Sequence, residues 1–235
     1  MTEFAGQIAL VTGASKGIGA ATARALAAGG AHVVLVGRDA AALETVEEDI
    51  HSAGGSATIA PLDMADGANI ARLTAAIAVR WQHLDILILN AATLGTLSPI
   101  AAIDTDELNR LFTLNVLAQH ATIAACEPLL RRAAHGRVIA LTSSVARAPR
   151  AYWGAYGASK AALENLVTAF GEEMRNVSNV RTAIVDPGAT RTQMRARAYP
   201  GEDAATLKDP TVVADAIVAL LERGFDSTEY IALGR

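Results

Sequence analysis

The chain holds one cysteine, Cys126, in 235 residues, which excludes an internal disulfide and any metal site built from a cysteine cluster. Its five histidines (His32, His51, His83, His120 and His135) show no HxxxH or comparable ligand spacing, so no metal site is expected. Basic residues are not in excess: 20 Lys and Arg face 24 Asp and Glu, for a net charge of −4, which argues against a nucleic-acid footprint. No uninterrupted apolar run approaches the ~18 residues that a membrane span requires. The Met1–Gly6 segment lacks the basic start and long apolar stretch of a secretory signal, so a cytoplasmic protein is the expectation. Aromatic residues make up only 4%, and no internal repeat, low-complexity tract or run of like charge interrupts the chain.

What is present is aliphatic and periodic. Apolar residues reach 51%, ample for a packed core. Strand-length runs at Ile8–Val11, His32–Val36, Ser56–Pro61, Leu84–Leu89, Arg137–Thr142, Val180–Val185 and Glu229–Leu233 alternate with helical patterns. The helices are expected over Ala20–Ala28, from an Asp39 N-cap to His51, over Asp66–Arg80, Asp106–Arg132 (bent near Pro128), Ala155–Met174 and Thr211–Arg223. The strand runs are continuous rather than alternating, which suits strands buried on both faces. The pattern predicts an α/β fold: one Rossmann-like, doubly wound parallel sheet of about seven strands with helices on both faces, forming a single domain over 1–235. The least regular stretch, Thr190–Pro210, is a candidate lid.

Two motifs bear chemistry. After the first strand comes Thr12-Gly13-Ala14-Ser15-Lys16-Gly17-Ile18-Gly19. A glycine-rich strand-to-helix turn aims backbone N–H groups at a phosphate, and without a C-terminal Gly-Lys-Ser/Thr it is not a P-loop. In Tyr156-Gly157-Ala158-Ser159-Lys160, a spacing of four puts Tyr156 and Lys160 on one helix face. A neighbouring ammonium is expected to lower the tyrosine pKa and suit it to proton transfer. Thr142-Ser143-Ser144 ends a strand, at the sheet edge where open α/β folds place ligands.

Taken in order, these motifs resemble the short-chain dehydrogenase/reductase family in its ordinary-length branch. The resemblance implies hydride transfer between NAD(P) and a carbonyl or alcohol, with Tyr156 as proton donor or acceptor. It assigns Lys160 to the nicotinamide ribose and to tuning the tyrosine. It assigns Ser143, seven residues after Gly136 and thirteen before Tyr156, to polarising the substrate oxygen. Asn115 resembles the helix asparagine that holds a water in the proton relay. For the cofactor, the resemblance implies Gly13, Ser15, Lys16, Gly17, Ile18 and Gly19 at the phosphates, and Asp63 and Met64 near the adenine. It places Asn90 near the ribose and Pro187, Gly188, Ala189, Thr190 and Thr192 at the carboxamide and pyrophosphate. The usual Asn-Asn-Ala-Gly is replaced by Leu89-Asn90-Ala91-Ala92.

At the end of the second strand Gly37 supplies no carboxylate, whereas Arg38 and Lys16 offer cations to a 2′-phosphate, so NADP (NADPH) is expected over NAD. The pocket should be shaped by Arg147, Arg150, Tyr152 and Trp153 and by Met194, Arg195, Arg197 and Tyr199. The aromatic and methionine side chains suit an apolar carbonyl compound, the arginines an acidic or thioester one. Two further readings remain: a non-catalytic NADP(H)-binding sensor or scaffold, and an epimerase or dehydratase of the longer branch, whose glycine spacing differs. The resemblance also implies a homodimer or homotetramer through the two long helices, whose alanines (Ala121, Ala124, Ala125, Ala158, Ala161 and Ala162) permit close approach. A tail ending at Arg235 gives less for a tetramer contact.

Overall fold

Short β-branched and leucine-rich runs form seven parallel strands: β1 (Ile8–Thr12), β2 (His32–Gly37), β3 (Ser56–Pro61), β4 (Ile86–Leu89), β5 (Arg137–Leu141), β6 (Arg181–Asp186) and β7 (Glu229–Ala232). They make one sheet in the order β3-β2-β1-β4-β5-β6-β7 in a computed structural model that describes residues 3–234. Met1, Thr2 and Arg235, which enter the readings of the two termini, lie outside those residues.

Each strand sends alternate side chains to opposite faces, and both faces are covered. Ala9 and Val11 of β1, with Val33 and Leu35 of β2, join a core built with helices α1 (Gly17–Ala28), α2 (Ala40–Ser52) and α8 (Pro210–Arg223). Ile8, Leu10, Val34 and Val36 join the other, built with α3 (Gly67–Arg80), α5 (Ala118–Leu130) and α6 (Gly154–Met174). A parallel sheet needs such covering on both sides, which explains the unbroken apolar runs. This is the doubly wound, Rossmann-like arrangement that the pattern predicts.

Aspartates start several of the helices. Asp39, Asp66 and Asp209 accept from the backbone N–H groups of Ala42, Ala68 and Thr211 at the heads of α2, α3 and α8, and Asp104 accepts from Glu107 at the head of α4 (Thr105–Phe112).

The long helix expected over Asp106–Arg132 is interrupted, but not at Pro128. Helix α5 runs through Pro128 to Leu130, and the departure lies at Thr113–Leu117, one wide π-helical turn between α4 and α5. A π turn displaces carbonyls from the regular ladder. The Leu114 carbonyl accepts instead from the Gln119 side chain at 3.0 Å. The irregular stretch after β6 contains a six-residue helix, α7 (Gln193–Ala198).

Candidate active site

The sheet order changes direction between β1 and β4, which are neighbours although β2 and β3 intervene in the chain. Their C-terminal ends diverge there and leave a crevice. The two ends are tied by side chains. Thr12 Oγ1 donates to the Ile88 carbonyl at 3.0 Å and accepts from the N–H groups of Asn90 and Ala91 at 2.9 and 3.0 Å. The Asn90 amide donates to the carbonyls of Thr12 and Gly13 at 2.9 and 3.1 Å. The turn after β1 fits this clamp only with glycine. A Cβ on Gly19 would lie 2.2 Å from the Gly13 carbonyl oxygen and 2.5 Å from Asn90 Nδ2. Leu89, where the family pattern has a first asparagine, is buried in the α3/α5/α6 core.

Above this clamp lies a cavity of about 1140 Å³. Of the residues expected at a cofactor, Gly13, Ser15, Lys16, Gly17, Ile18, Arg38, Asp63, Met64, Asn90, Pro187, Gly188, Thr190 and Thr192 line it. Gly19 sits behind the wall as a packing residue, and Ala189 is not among the lining residues. At the β2 end, Gly37 adds no charge, and the exposed Arg38 and Lys16 flank the opening. The Asp63 carboxylate accepts from the Ala65 N–H at 2.9 Å and so also shapes its own loop. Thr190 Oγ1 donates to the Pro187 carbonyl at 3.1 Å, while the Thr192 hydroxyl caps α7 through the Arg195 N–H.

At the other end Ser143, Tyr156 and Lys160 share the cavity wall. Ser143 lies two residues past the end of β5, and Tyr156 and Lys160 lie one turn apart on α6. Lys160 is buried, and its ammonium donates to the Leu141 carbonyl at 2.9 Å, 5.9 Å from the centre of the Tyr156 ring. Burial brings its pKa down to about 8 against the opposing pull of Glu164. Tyr156 is buried among Leu94 and Val145. Its pKa is raised, first by that burial and then by the Asp186 carboxylate. This differs from the lowering expected from the Tyr–Lys spacing alone, because desolvation penalises a phenolate and outweighs the nearby ammonium.

Asn115 lies in the π turn, fully buried and outside the cavity lining. Its Oδ1 accepts from the Thr93 N–H at 2.8 Å, and its Nδ2 donates to the Thr93 carbonyl and to Ser159 Oγ at 2.9 and 3.1 Å. The amide thus pins the segment after β4 to α6, one residue before Lys160.

Of the residues expected to shape a substrate pocket, Trp153, Met194 and Arg195 line the cavity, and Arg147, Arg150, Tyr152, Arg197 and Tyr199 do not. Arg147 turns away, onto Glu164 at 2.8 Å and over the Tyr230 ring at 3.3 Å. Tyr199 stacks on Trp153 with ring centres 5.7 Å apart. The candidate lid is tied down: Lys16 Nζ donates to Gln193 Oε1 at 2.7 Å, and Arg191 pairs with Asp209.

Glu164, which neither motif contains, lies one turn beyond Lys160, and its carboxylate also accepts from Thr142 Oγ1 at 2.6 Å. Its signal was present, since Tyr156, Lys160 and Glu164 recur every four residues and so share a helix face. Thr93 carries no local pattern that would mark it.

Among the described residues no group of three His, Cys, Asp or Glu could hold a metal ion, and no helix is long and apolar enough to cross a membrane.

A family model described as short chain dehydrogenase matches residues 7–203. The chain is 37% identical over 207 residues to the oxidoreductase YciK of Escherichia coli strain K12, covering 87% of this chain and 81% of that one. A short chain dehydrogenase from Pseudomonas syringae superposes with a TM-score of 0.94 at 36% identity, over 98% of this chain and 96% of the other. Another, from Shigella flexneri 2a and complexed with NADP, gives 0.90 at 32% identity over 98% and 99%.

Proposed function

This chain belongs to the short-chain dehydrogenase family, and on that premise we propose that it is an NADP-dependent oxidoreductase acting on a carbonyl or alcohol, with Tyr156 moving the proton. The observation that carries this reading is the shared cavity: Ser143, Tyr156 and Lys160 line one end and the glycine turn with Lys16 and Arg38 the other.

The residues present suit NADP. The turn from Gly13 to Gly19 leads into the N-terminus of α1, whose N–H groups favour a pyrophosphate. Ser15, Gly17 and Ile18 belong to that cradle. Lys16 and Arg38 would hold the 2′-phosphate, with no carboxylate from Gly37 to repel it. Asp63 and Met64 would meet the adenine, and Asn90 the ribose. Pro187, Gly188, Ala189, Thr190 and Thr192 would meet the carboxamide and pyrophosphate. The Shigella flexneri relative crystallised with NADP supports this choice over NAD.

When bound, the nicotinamide supplies a hydride to a carbonyl carbon or takes one from a carbinol. The chain does the rest. Ser143 donates a hydrogen bond to the substrate oxygen. Tyr156 gives that oxygen its proton during reduction and takes it back during oxidation. A phenol held protonated by burial suits the donor role. Lys160, close to the Tyr156 ring, holds the ribose and compensates negative charge on the phenolic oxygen after transfer. Asn115 acts through position, by fixing the Thr93 segment and the helix that bears Tyr156.

The test follows NADPH absorbance over a panel of carbonyl compounds with Tyr156→Phe as control. Turnover should fall by ~10²–10⁴-fold in the variant. Wild-type-like turnover by Tyr156→Phe would overturn the assignment. NADP binding without turnover of any carbonyl would favour a sensor. We also propose a cytoplasmic homodimer or homotetramer pairing through α5 and α6, where Ala124 and Ala158 are exposed, as is Leu117 at the end of the π turn; sedimentation of a monomer at micromolar concentration would count against it.

A further inference from the structure

The Tyr156 end of the cavity carries an apolar wall, and the arginines beside it are already paired with carboxylates. Leu94, Trp153, Met194 and Ala198 line it and pack around Tyr156 in one cluster. The Trp153 and Tyr156 rings meet edge-on with centres 6.0 Å apart, and Trp153 in turn stacks on Tyr199. Two cations adjoin this cluster. Lys160 is held by the Leu141 carbonyl. Arg195 donates through Nε and Nη2 to the two oxygens of Glu202, both at 2.5 Å, and lies 3.8 Å over the Tyr199 ring. That pair is largely shielded, with side-chain exposures of 23% and 27%.

A two-pronged arginine–carboxylate pair of this kind leaves little of the guanidinium charge for a ligand. An anionic substrate entering here would give up water for an arginine whose charge Glu202 already balances, with Lys160, which the reaction itself uses at Tyr156, as the remaining cation on that wall. Arg147, after β5, is committed to Glu164 and Tyr230 outside the cavity lining, Arg150 also lies outside it, and Arg191, which does line the cavity, pairs with Asp209.

We propose that the substrate is an uncharged, apolar carbonyl compound bearing a flat ring that lies against Trp153, and that Glu202, by neutralising Arg195, is the residue that excludes carboxylate-bearing analogues. The proposal rests on the reductase reading of the cavity and deepens it.

The test compares two ketones of nearly equal shape, methyl 4-acetylbenzoate and the 4-acetylbenzoate anion. The chain has two tryptophans, so in a Trp81→Phe background Trp153 alone reports binding by its fluorescence. With NADP⁺ bound, the ester should perturb that fluorescence and the anion only at much higher concentration. With NADPH, kcat/KM for the ester should exceed that for the anion on the order of tenfold or more. Glu202→Gln should narrow the gap about tenfold through a lower KM for the anion, and adding Arg195→Met should reopen it. The substrate class is overturned if wild-type protein prefers the anion or takes both equally, or if neither ketone perturbs Trp153 at millimolar concentration. The role of Glu202 is overturned if its variant leaves the ratio unchanged. Calorimetry of NADP⁺ alone separates the two levels: absent cofactor binding sinks the reductase reading, whereas intact cofactor binding with the anion preferred sinks only the substrate class.

Discussion

The Lys160 ammonium donates to the main-chain carbonyl of Leu141 at 2.9 Å, from a side chain only 2% exposed. Burial lowers its pKa from 10.5 to about 8. Between those values the unfolded chain holds a proton that the folded chain has released, so this group adds stability as pH rises through that window. Cys126 and Tyr156, whose pKa values are raised, act in the opposite sense at alkaline pH. The Lys160 contribution is therefore read as a difference. Urea denaturation from pH 8 to 10 should show wild type gaining on Lys160→Met, by at most ~1.4 kcal/mol per pH unit. Parallel pH curves for the two proteins would refute the buried, depressed lysine.

The Cys126 thiol is fully buried in the core beneath α5, and its pKa is pushed up to about 12. Only a thiolate reacts readily. Native protein at pH 8 should thus resist a disulfide reagent for hours and titrate one thiol promptly in denaturant. Rapid labelling of the folded protein would show that this core opens far more often than its packing implies.

Asn90 bonds two carbonyls at once, those of Thr12 and Gly13. Asn90→Ala leaves both without this donor and should cost ~1–3 kcal/mol in denaturation. NADP affinity should fall with it, because the same bonds shape the phosphate turn. Gly19→Ala should be worse for binding, since its Cβ would meet the Gly13 oxygen at 2.2 Å and drive the turn apart. Unchanged NADP titrations for both variants would remove the clamp from the account.

Arg38 is exposed and lines the cavity, after Gly37, which ends β2 without a carboxylate, and before Asp39, whose carboxylate accepts from the Ala42 N–H at the head of α2. Losing a charge-assisted bond of about 1.5–3 kcal/mol, Arg38→Ala should bind NADP roughly 10–100-fold more weakly and NAD almost as before. Equal losses for both cofactors would argue that the arginine does not meet the 2′-phosphate.

Much of the fold was legible because its causes are local. Continuous apolar runs mark strands covered on both faces, aspartates mark helix starts, and glycines at 13, 17 and 19 mark a turn that no side chain fits. The spacing of Tyr156 and Lys160 places them on one face of any α-helix. The candidate site was legible in part for the same reason: Gly13, Arg38, Asp63, Asn90, Ser143 and Pro187 lie one or two residues past strand ends, where the order of elements already puts them.

What only the tertiary structure decided involves partners far apart in sequence. Near Asn115, the helix widens into a π turn at Thr113–Leu117 while passing through Pro128 unbroken, and the Asn115 amide is spent on Thr93 and Ser159. The Tyr156 pKa moves up rather than down, because the depth of burial outweighs one neighbouring charge. The arginines flanking the pocket could be read from sequence as welcoming an acid. Folding commits Arg147 to Glu164 and Arg195 to Glu202, and leaves the wall beside Tyr156 apolar. Backbone period and capping depend on neighbours in the chain and are fixed by local sequence, whereas desolvation and charge pairing depend on whatever the completed fold brings within a few ångströms.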